Sequence, residues 1–181
     1  MNREPVCIRK EIAMKAEQVQ VTLLPSRVVS PTDPGHMSIS FHGPSIEPVH
    51  RGFRFRIGDL PKPFRSPHRF RDFLFEDRVP GYVFDEFEFH IKCQMYLADC
   101  LMRAWPVKSE SAVDEICASV PRREGWYSFN PDDFEDCHNC VTWAVSQINL
   151  VVSEVVLTRP RQGRIKEMVT ILSNALLRNE P

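Results

Sequence analysis

The sequence predicts a single α+β domain over residues 1–181, in which an antiparallel sheet packs against helices that come largely from the second half of the chain. Three observations predict this class. The chain has 181 residues, 43% of them hydrophobic, which is enough to build one buried core. Apolar and polar residues alternate along the first half, and the apolar spacing becomes helical after residue 93.

The alternating segments of the first half predict half-buried strands. In "PGHMSISF", His36 opens such a strand on the face opposite Met37 and Ile39. Residues 59–81 contain four prolines and several aromatic residues, and they predict a long excursion with a short strand at 69–75. The other predicted strands are at 18–24, 36–42, 52–59 and 83–92, and residues 1–17 are expected to form an N-terminal extension.

Apolar residues three and four positions apart predict the helices. Ser109 or Ser111 is expected to cap the second helix, and Asn139 is a good N-cap for the third, which then begins at Cys140. The helices are expected at 93–105, 109–120, 140–148 and 163–177, with a further short strand at 154–160.

Charge and composition exclude several classes of partner. The formal net charge of -1 argues against nucleic acid, because phosphate binding needs an excess of Lys and Arg. The arginine-rich run Arg51–Arg71 is a local exception, interpreted as a solvated strand face or as a surface for an acidic partner. The charged N-terminus lacks the apolar core of a signal peptide, and no stretch is apolar enough to span a membrane. We therefore expect a cytoplasmic protein, or one exported by a dedicated secretion system.

The chain has six cysteines, which cluster late in the sequence apart from Cys7, and several lie within helical patterns. This usage indicates a reduced protein, and we expect no cofactor. Cys140 stands out among them. At the first position of a helix, its sulfur lies near free backbone N–H groups and the positive end of the helix dipole, which favour a thiolate and can bind an oxyanion. A cysteine nucleophile needs a base, and His36 is the best-placed histidine. The same residues also fit a buried helix-start cysteine and a strand-end histidine.

The motifs "PGHMSISF" and "YSFNPDDFEDCHNCVTWAVSQI" resemble the circularly permuted papain-like proteins related to NlpC/P60. In that group a histidine on an early strand precedes a cysteine that heads a helix, within an asparagine–cysteine pair. The segment "FEFHIKCQMYLADCLMRAW" is similar to the strand-then-helix insertion of such proteins, and the likeness spans roughly residues 18 to 177.

The resemblance implies a role for several residues. Cys140 would be the nucleophile, His36 the general base, and Asn139 a positioning residue near the oxyanion, while Tyr127 would line the cleft. The third catalytic member usually comes from the next strand. There His50 is preferred, with Glu47 and Arg54 as the alternatives.

The implied enzyme attacks an acyl or amide carbon as a peptidase, amidase, deamidase or acyltransferase. Its partner is then a protein, a peptide or another acyl substrate, and a bacterial effector is one context that fits.

Two other classes remain open on the sequence. His90, Cys93, Cys137 and Cys140 have the spacing of a Cys3His zinc site. A zinc nucleotide deaminase is excluded, because Met37 and Ser38 follow His36 where that class needs H-x-E. The last class is a non-catalytic binding module that uses the arginines and aromatic residues between Phe53 and Phe75 as its contact surface.

Overall fold

The computed structural model describes residues 16–24, 35–44, 46–66, 69–88, 91, 100–160 and 165–178. Within these residues the fold is mixed α+β, with one seven-stranded sheet and four α-helices. The strands are β1 (Gln18–Leu24), β2 (His36–Gly43), β3 (Ile46–Phe55), β4 (Val79–Asp85), β5 (Leu101–Pro106), β6 (Arg122–Tyr127) and β7 (Cys137–His138). The helices are α1 (Phe70–Glu76), α2 (Glu110–Ile116), α3 (Cys140–Val152) and α4 (Ile165–Arg178).

The sheet has the order β5-β1-β2-β3-β4-β6-β7. All neighbouring strands pair antiparallel except β6 and β7, which pair parallel. The strands predicted at 18–24 and 36–42 are confirmed, as are the helix that begins at Cys140 and the closing helix. Ser109 is the N-cap residue of α2. Most of the N-terminal extension lies outside the described residues.

Several predicted elements were wrong. The segment predicted as a strand at 69–75 forms the helix α1, and residues 154–160 contain no strand. The strand predicted at 83–92 ends at Asp85, where the Asp85 side chain accepts a hydrogen bond from the N–H of Phe87 at 2.9 Å. The last part of the helix predicted at 93–105 is instead the strand β5. This segment forms a strand because residues 101–106 pair with Gln18–Leu23 of β1. Residues 92–99 lie outside the described part of the chain.

The core lies between the sheet and α3, which contacts β1, β2 and β3. Trp143 of α3 is fully buried, and its ring stacks on Phe53 of β3 with the centroids 5.9 Å apart. Aromatic residues of the 59–81 excursion join this core through Phe129, which contacts the rings of Phe70 and Phe75. The aromatic residues of the excursion therefore pack against the domain, while most of its other described residues are exposed. No helix of the described residues is long and apolar enough to cross a membrane.

Candidate active site

Cys140 is held in place by a complete capping arrangement at the start of α3. The side-chain oxygen of Asn139 accepts hydrogen bonds from the N–H groups of Val141 and Thr142, each at 2.9 Å. The hydroxyl of Thr142 accepts a hydrogen bond from the N–H of Asn139 at 3.0 Å, which closes a capping box. Because this cap fixes the first turn, Cys140 has one defined orientation at the positive end of the helix dipole.

His36 reaches Cys140 from the first position of β2. The strand follows Gly35, whose φ of 89° is a conformation that glycine adopts readily. The His36 ring lies close to the Cys140 sulfur, and the two side chains interact electrostatically. Burial by itself would lower the pKa of His36, but the Cys140 sulfur and the Glu86 carboxylate raise it from 6.5 to about 9. His36 is therefore protonated at neutral pH, and its positive charge lies beside the Cys140 sulfur.

Glu86, just after β4, supplies the carboxylate beside His36. Its Oε1 lies 3.6 Å from Nε2 of His36, and its Oε2 accepts a hydrogen bond from Arg54 at 2.5 Å. Burial alone would raise the pKa of Glu86, but the His36 ring and Arg54 lower it below its usual value. The carboxylate is thus ionised at neutral pH, and it can orient the imidazole and stabilise its charged form.

The side chain of Glu86 crosses β3 at Gly52, where no side chain stands in its way. A Cβ at position 52 would lie 2.6 Å from Cγ of Glu86 and 2.7 Å from its Oε1. The backbone also positions the start of this crossing, because the N–H of Glu86 donates to the carbonyl of His50 at 3.3 Å. The contact between Glu86 and His36 therefore depends on a glycine in the intervening strand.

Tyr127 is the last residue of β6 and lies near the Cys140 sulfur. Its side chain lies close to Cys140, and the two residues interact electrostatically. Burial and the Cys140 sulfur raise the pKa of Tyr127 well above its usual value, so the hydroxyl stays neutral and can donate. Asn139 already accepts from the N–H groups of Val141 and Thr142, so among the described residues we consider the Tyr127 hydroxyl and the Cys140 N–H as donors near the sulfur.

The catalytic candidates are shielded to different degrees. Cys140 is 1% exposed, and the side chain of Glu86 is 2% exposed. The side chain of His36 is 14% exposed, whereas that of Arg54 is 47% exposed. Solvent therefore meets this cluster mainly at Arg54 and His36, and a substrate would approach from that side.

The structure does not place His50 in the position that the sequence analysis gave it. Strands β2 and β3 pair so that Ser40 lies opposite His50, and extending this register by four residues brings Arg54 opposite His36. His50 therefore lies farther along the strand from His36 than Arg54 does. The acidic partner of His36 comes from the end of β4, one strand beyond the predicted one. Arg54, one of the two alternatives considered for the third member, binds this acid instead of the histidine.

Asn139, expected near the oxyanion, is the buried N-cap residue of α3. It is fully buried, its oxygen caps α3, and its amide nitrogen donates to Sδ of Met168 at 3.2 Å. These bonds show that Asn139 positions Cys140 by capping α3. Glu47, the remaining alternative for the third member, is an exposed residue near the start of β3.

Two members of the alternative zinc site, His90 and Cys93, lie outside the described residues. No group of three metal-ligating side chains is found among the residues that the structure describes. Cys137 pairs with Trp126 in the sheet, and burial raises the pKa of its thiol to about 11. Cys140 instead contacts His36 and Tyr127, so the two cysteines have different surroundings.

A groove of about 480 Å³ lies beside β7, but the described residues that line it include neither Cys140 nor His36. His138 contributes to its wall, and burial, followed by the nearby Arg159, lowers the pKa of this histidine. The lining residues are Pro131, Asp132, Phe134, Asp136, Cys137, His138 and Arg159.

The sequence analysis missed Glu86 and Gly52 as parts of the site. Glu86 was visible only as a polar position in an alternating segment, and nothing local distinguishes it from Glu88. Its role depends on the pairing of β3 with β4, which brings residues about 50 positions apart into contact.

No family model, curated protein or solved structure matches this chain.

Proposed function

We propose that the protein is a thiol enzyme that attacks an acyl or amide carbon, with Cys140 as nucleophile, His36 as acid and base, and Glu86 as the residue that orients His36. One observation carries the proposal: the His36 ring interacts both with the Cys140 sulfur and with the buried Glu86 carboxylate, whose Oε1 is 3.6 Å from its Nε2. A buried ion pair of this kind is costly unless each charge is satisfied, and functional sites are where such pairs concentrate. The proposed fold relationship is to the permuted papain-like, NlpC/P60-related group.

The chemistry follows from the positions of these side chains. The Cys140 thiolate attacks the carbonyl carbon, a C–S bond forms, and the carbonyl oxygen takes the negative charge. The Cys140 N–H and the Tyr127 hydroxyl are the donors available to that oxygen. His36 gives its proton to the departing amine as the C–N bond breaks, and the acyl group remains on sulfur as a thioester.

The second half of the reaction releases the acyl group. Neutral His36 takes a proton from water or from an acceptor amine, which attacks the thioester carbon. The C–S bond then breaks, Cys140 leaves as the thiolate, and the proton stays on His36, which restores the starting state. Water gives hydrolysis or deamidation, and an amine gives acyl transfer. The four candidate activities share this first intermediate and differ only in the acceptor.

The experiment that tests the proposal measures the reactivity of each cysteine. Iodoacetamide is added at neutral pH, and peptide mass spectrometry follows the labelling rate of each of the six cysteines. A binding site for substrate is not required for this reagent. We expect Cys140 to react fastest, and we expect His36→Ala to slow it by about tenfold or more, because the thiolate loses its counter-ion.

The matched control is His42→Ala, which removes a histidine from the same strand. The ring of His42 bonds with the hydroxyl of Ser40 at 3.0 Å, and its removal is expected to leave the labelling of Cys140 unchanged. Equal labelling of all six cysteines, or equal slowing by both histidine variants, would refute the proposed nucleophile and its base.

A further inference from the structure

A second feature of the molecule is a set of arginines stacked on aromatic rings along one face of the sheet. Arg56 lies over the ring of Tyr82 at 4.1 Å and over Phe84 at 5.9 Å. Arg123 and Arg78 lie over Trp126 at 5.2 and 4.9 Å. We call this set the arginine–aromatic surface, and it consists of Arg56, Arg78, Tyr82, Phe84, Arg123, Trp126 and Phe134.

Strand pairing brings the parts of this surface together. Tyr82 of β4 lies opposite Arg54 of β3 and opposite Arg123 of β6, and residues directly opposite each other share a face. Val79 and Val83 alternate with these positions and are buried on the core side. The surface is therefore the outer face of β3, β4 and β6, and Arg78 extends it toward the loop that contains Phe134.

The three stacked arginines have no carboxylate partner among the residues that the structure describes. Arg56 and Arg123 are exposed, and Arg78 donates to the backbone carbonyl of Glu135 at 3.0 Å. Arg159, by contrast, pairs with Asp132 at 2.8 Å. This is a local excess of positive charge on a chain whose formal net charge is -1, and it favours a negatively charged partner.

The form of the surface favours carboxylates over nucleic-acid bases. Single-stranded nucleic acid binds through rings that are free to stack with bases. Here guanidinium groups already lie over the rings, which leaves the N–H edges of the arginines as the donors toward solvent. Stacking also reduces the entropy that each arginine loses on binding, and a planar guanidinium can bind a carboxylate with two parallel hydrogen bonds.

The surface is continuous with the candidate active site through Arg54. Arg54 faces Tyr82 across the β3–β4 pair and donates to Glu86, which contacts His36. A chain segment bound along the surface would thus reach the side from which His36 and Arg54 are open to solvent.

We propose that the arginine–aromatic surface binds an extended, acidic polypeptide segment of the substrate, next to the acyl group that Cys140 attacks. The identification of this partner as a substrate rests on the proposed function. The proposal that the surface binds an acidic segment does not depend on that function. The enzyme would then select proteins whose reacting acyl group lies near glutamate or aspartate residues.

Binding is tested with the full chain carrying Cys140→Ser, so that no covalent step contributes. The probe is a fluorescein-labelled peptide of alternating glutamate and glycine, followed by fluorescence anisotropy at low salt. We expect binding that weakens with added salt, and a triple variant with Arg56→Gln, Arg78→Gln and Arg123→Gln is expected to weaken it about tenfold. Arg103→Gln is the matched control, since Arg103 also stacks on a tryptophan, at 5.2 Å, but on the opposite edge strand.

The comparison ligands are an oligothymidylate, the matching lysine peptide and vesicles that contain phosphatidylserine. Tighter binding of the oligonucleotide or of the vesicles than of the glutamate peptide would overturn the proposal, as would equal loss in the triple variant and in Arg103→Gln. Circular dichroism shows whether each variant is folded, and Arg→Lys at the same three positions provides a variant that keeps the charge. Arginine-dependent peptide binding by the Cys140→Ser chain, combined with a native protein whose Cys140 labels no faster than its other cysteines, would support this surface and refute the proposed chemistry.

Discussion

Glu86 connects His36, the proposed acid and base, to the interior of the sheet. Its carboxylate is shared between a histidine and an arginine, and it is buried while remaining ionised. Removing one partner from such a buried group costs more than the pair contributes when it is intact, because a charge is left unsatisfied. The three side chains of Glu86, His36 and Arg54 therefore act as one unit, and a change in any of them alters the protonation of His36.

The first prediction at this scale concerns Gly52→Ala. The new Cβ would lie 2.6 Å from Cγ of Glu86, so the carboxylate must move away from His36. Without this neighbour the pKa of His36, about 9 in the native protein, is expected to fall toward 6.5. The measurement is an NMR titration of the His36 ring. Gly58→Ala is the control, because no atom lies within 4 Å of a Cβ built at that position.

The same variant is expected to change how the free energy of unfolding depends on pH. The pKa of His36 is higher in the folded protein, about 9, than the unfolded value of 6.5, so protonation of His36 stabilises the fold. This stabilisation is fully present below pH 6.5 and is lost as the pH rises to about 9. Urea unfolding should show a smaller loss over this window in Gly52→Ala than in Gly58→Ala. A His36 pKa that is equal in the two variants would contradict the role given to Gly52.

At the scale of elements, the start of α3 sets the position of the nucleophile. Asn139→Ala removes the acceptor of two backbone N–H groups and is expected to lower the free energy of unfolding by about 1–2 kcal/mol. Ser109→Ala is the matched control, because Ser109 is the N-cap residue of α2 but makes no side-chain capping bond. Urea unfolding compares them. A cost at Ser109 equal to that at Asn139 would contradict the capping explanation.

Local signals explain which elements were predicted correctly. Alternation in β1 and β2, and the Asn139 cap before an apolar helical pattern, are encoded within a few residues and are confirmed. Leu101 and Ala104 fit a helical spacing, yet their segment is a strand because its backbone pairs with β1. Segments of this kind are decided by tertiary pairing, which outweighs their local preference.

The residues of the candidate site also fall into those with a local sequence signal and those without one. Cys140 and His36 were identifiable because each stands at the start of an element with a recognisable pattern. Glu86 and Gly52 were not, because their relation exists only after β3 and β4 have paired in one register. A register shift by one residue would turn every side chain of a strand to the other face, and the sequence of one strand carries no record of its partner.

At the scale of the whole molecule, the candidate site is assembled from β2, β3, β6, α3 and the residue after β4, and one core holds these elements together. Trp143 is central to this packing, because it stacks on Phe53 and its Nε1 donates to Glu124 of β6 at 2.8 Å. It thereby joins α3 to two strands that also carry site residues. The geometry between Cys140 and the sheet should therefore depend on this tryptophan.

Replacing it tests that dependence. Trp143→Phe is expected to lower the free energy of unfolding by roughly 2 kcal/mol, through a cavity and a lost hydrogen bond, and to slow iodoacetamide labelling of Cys140 because α3 shifts against β2. Trp105→Phe is the matched control, since Trp105 is only partly buried and lies on the edge strand β5. Urea unfolding and labelling are measured on both variants. If Trp143→Phe destabilises the protein while Cys140 labels at the native rate, the core supports the fold without setting the geometry of the nucleophile, and the site must be held by the Asn139 cap and the Glu86 contact alone.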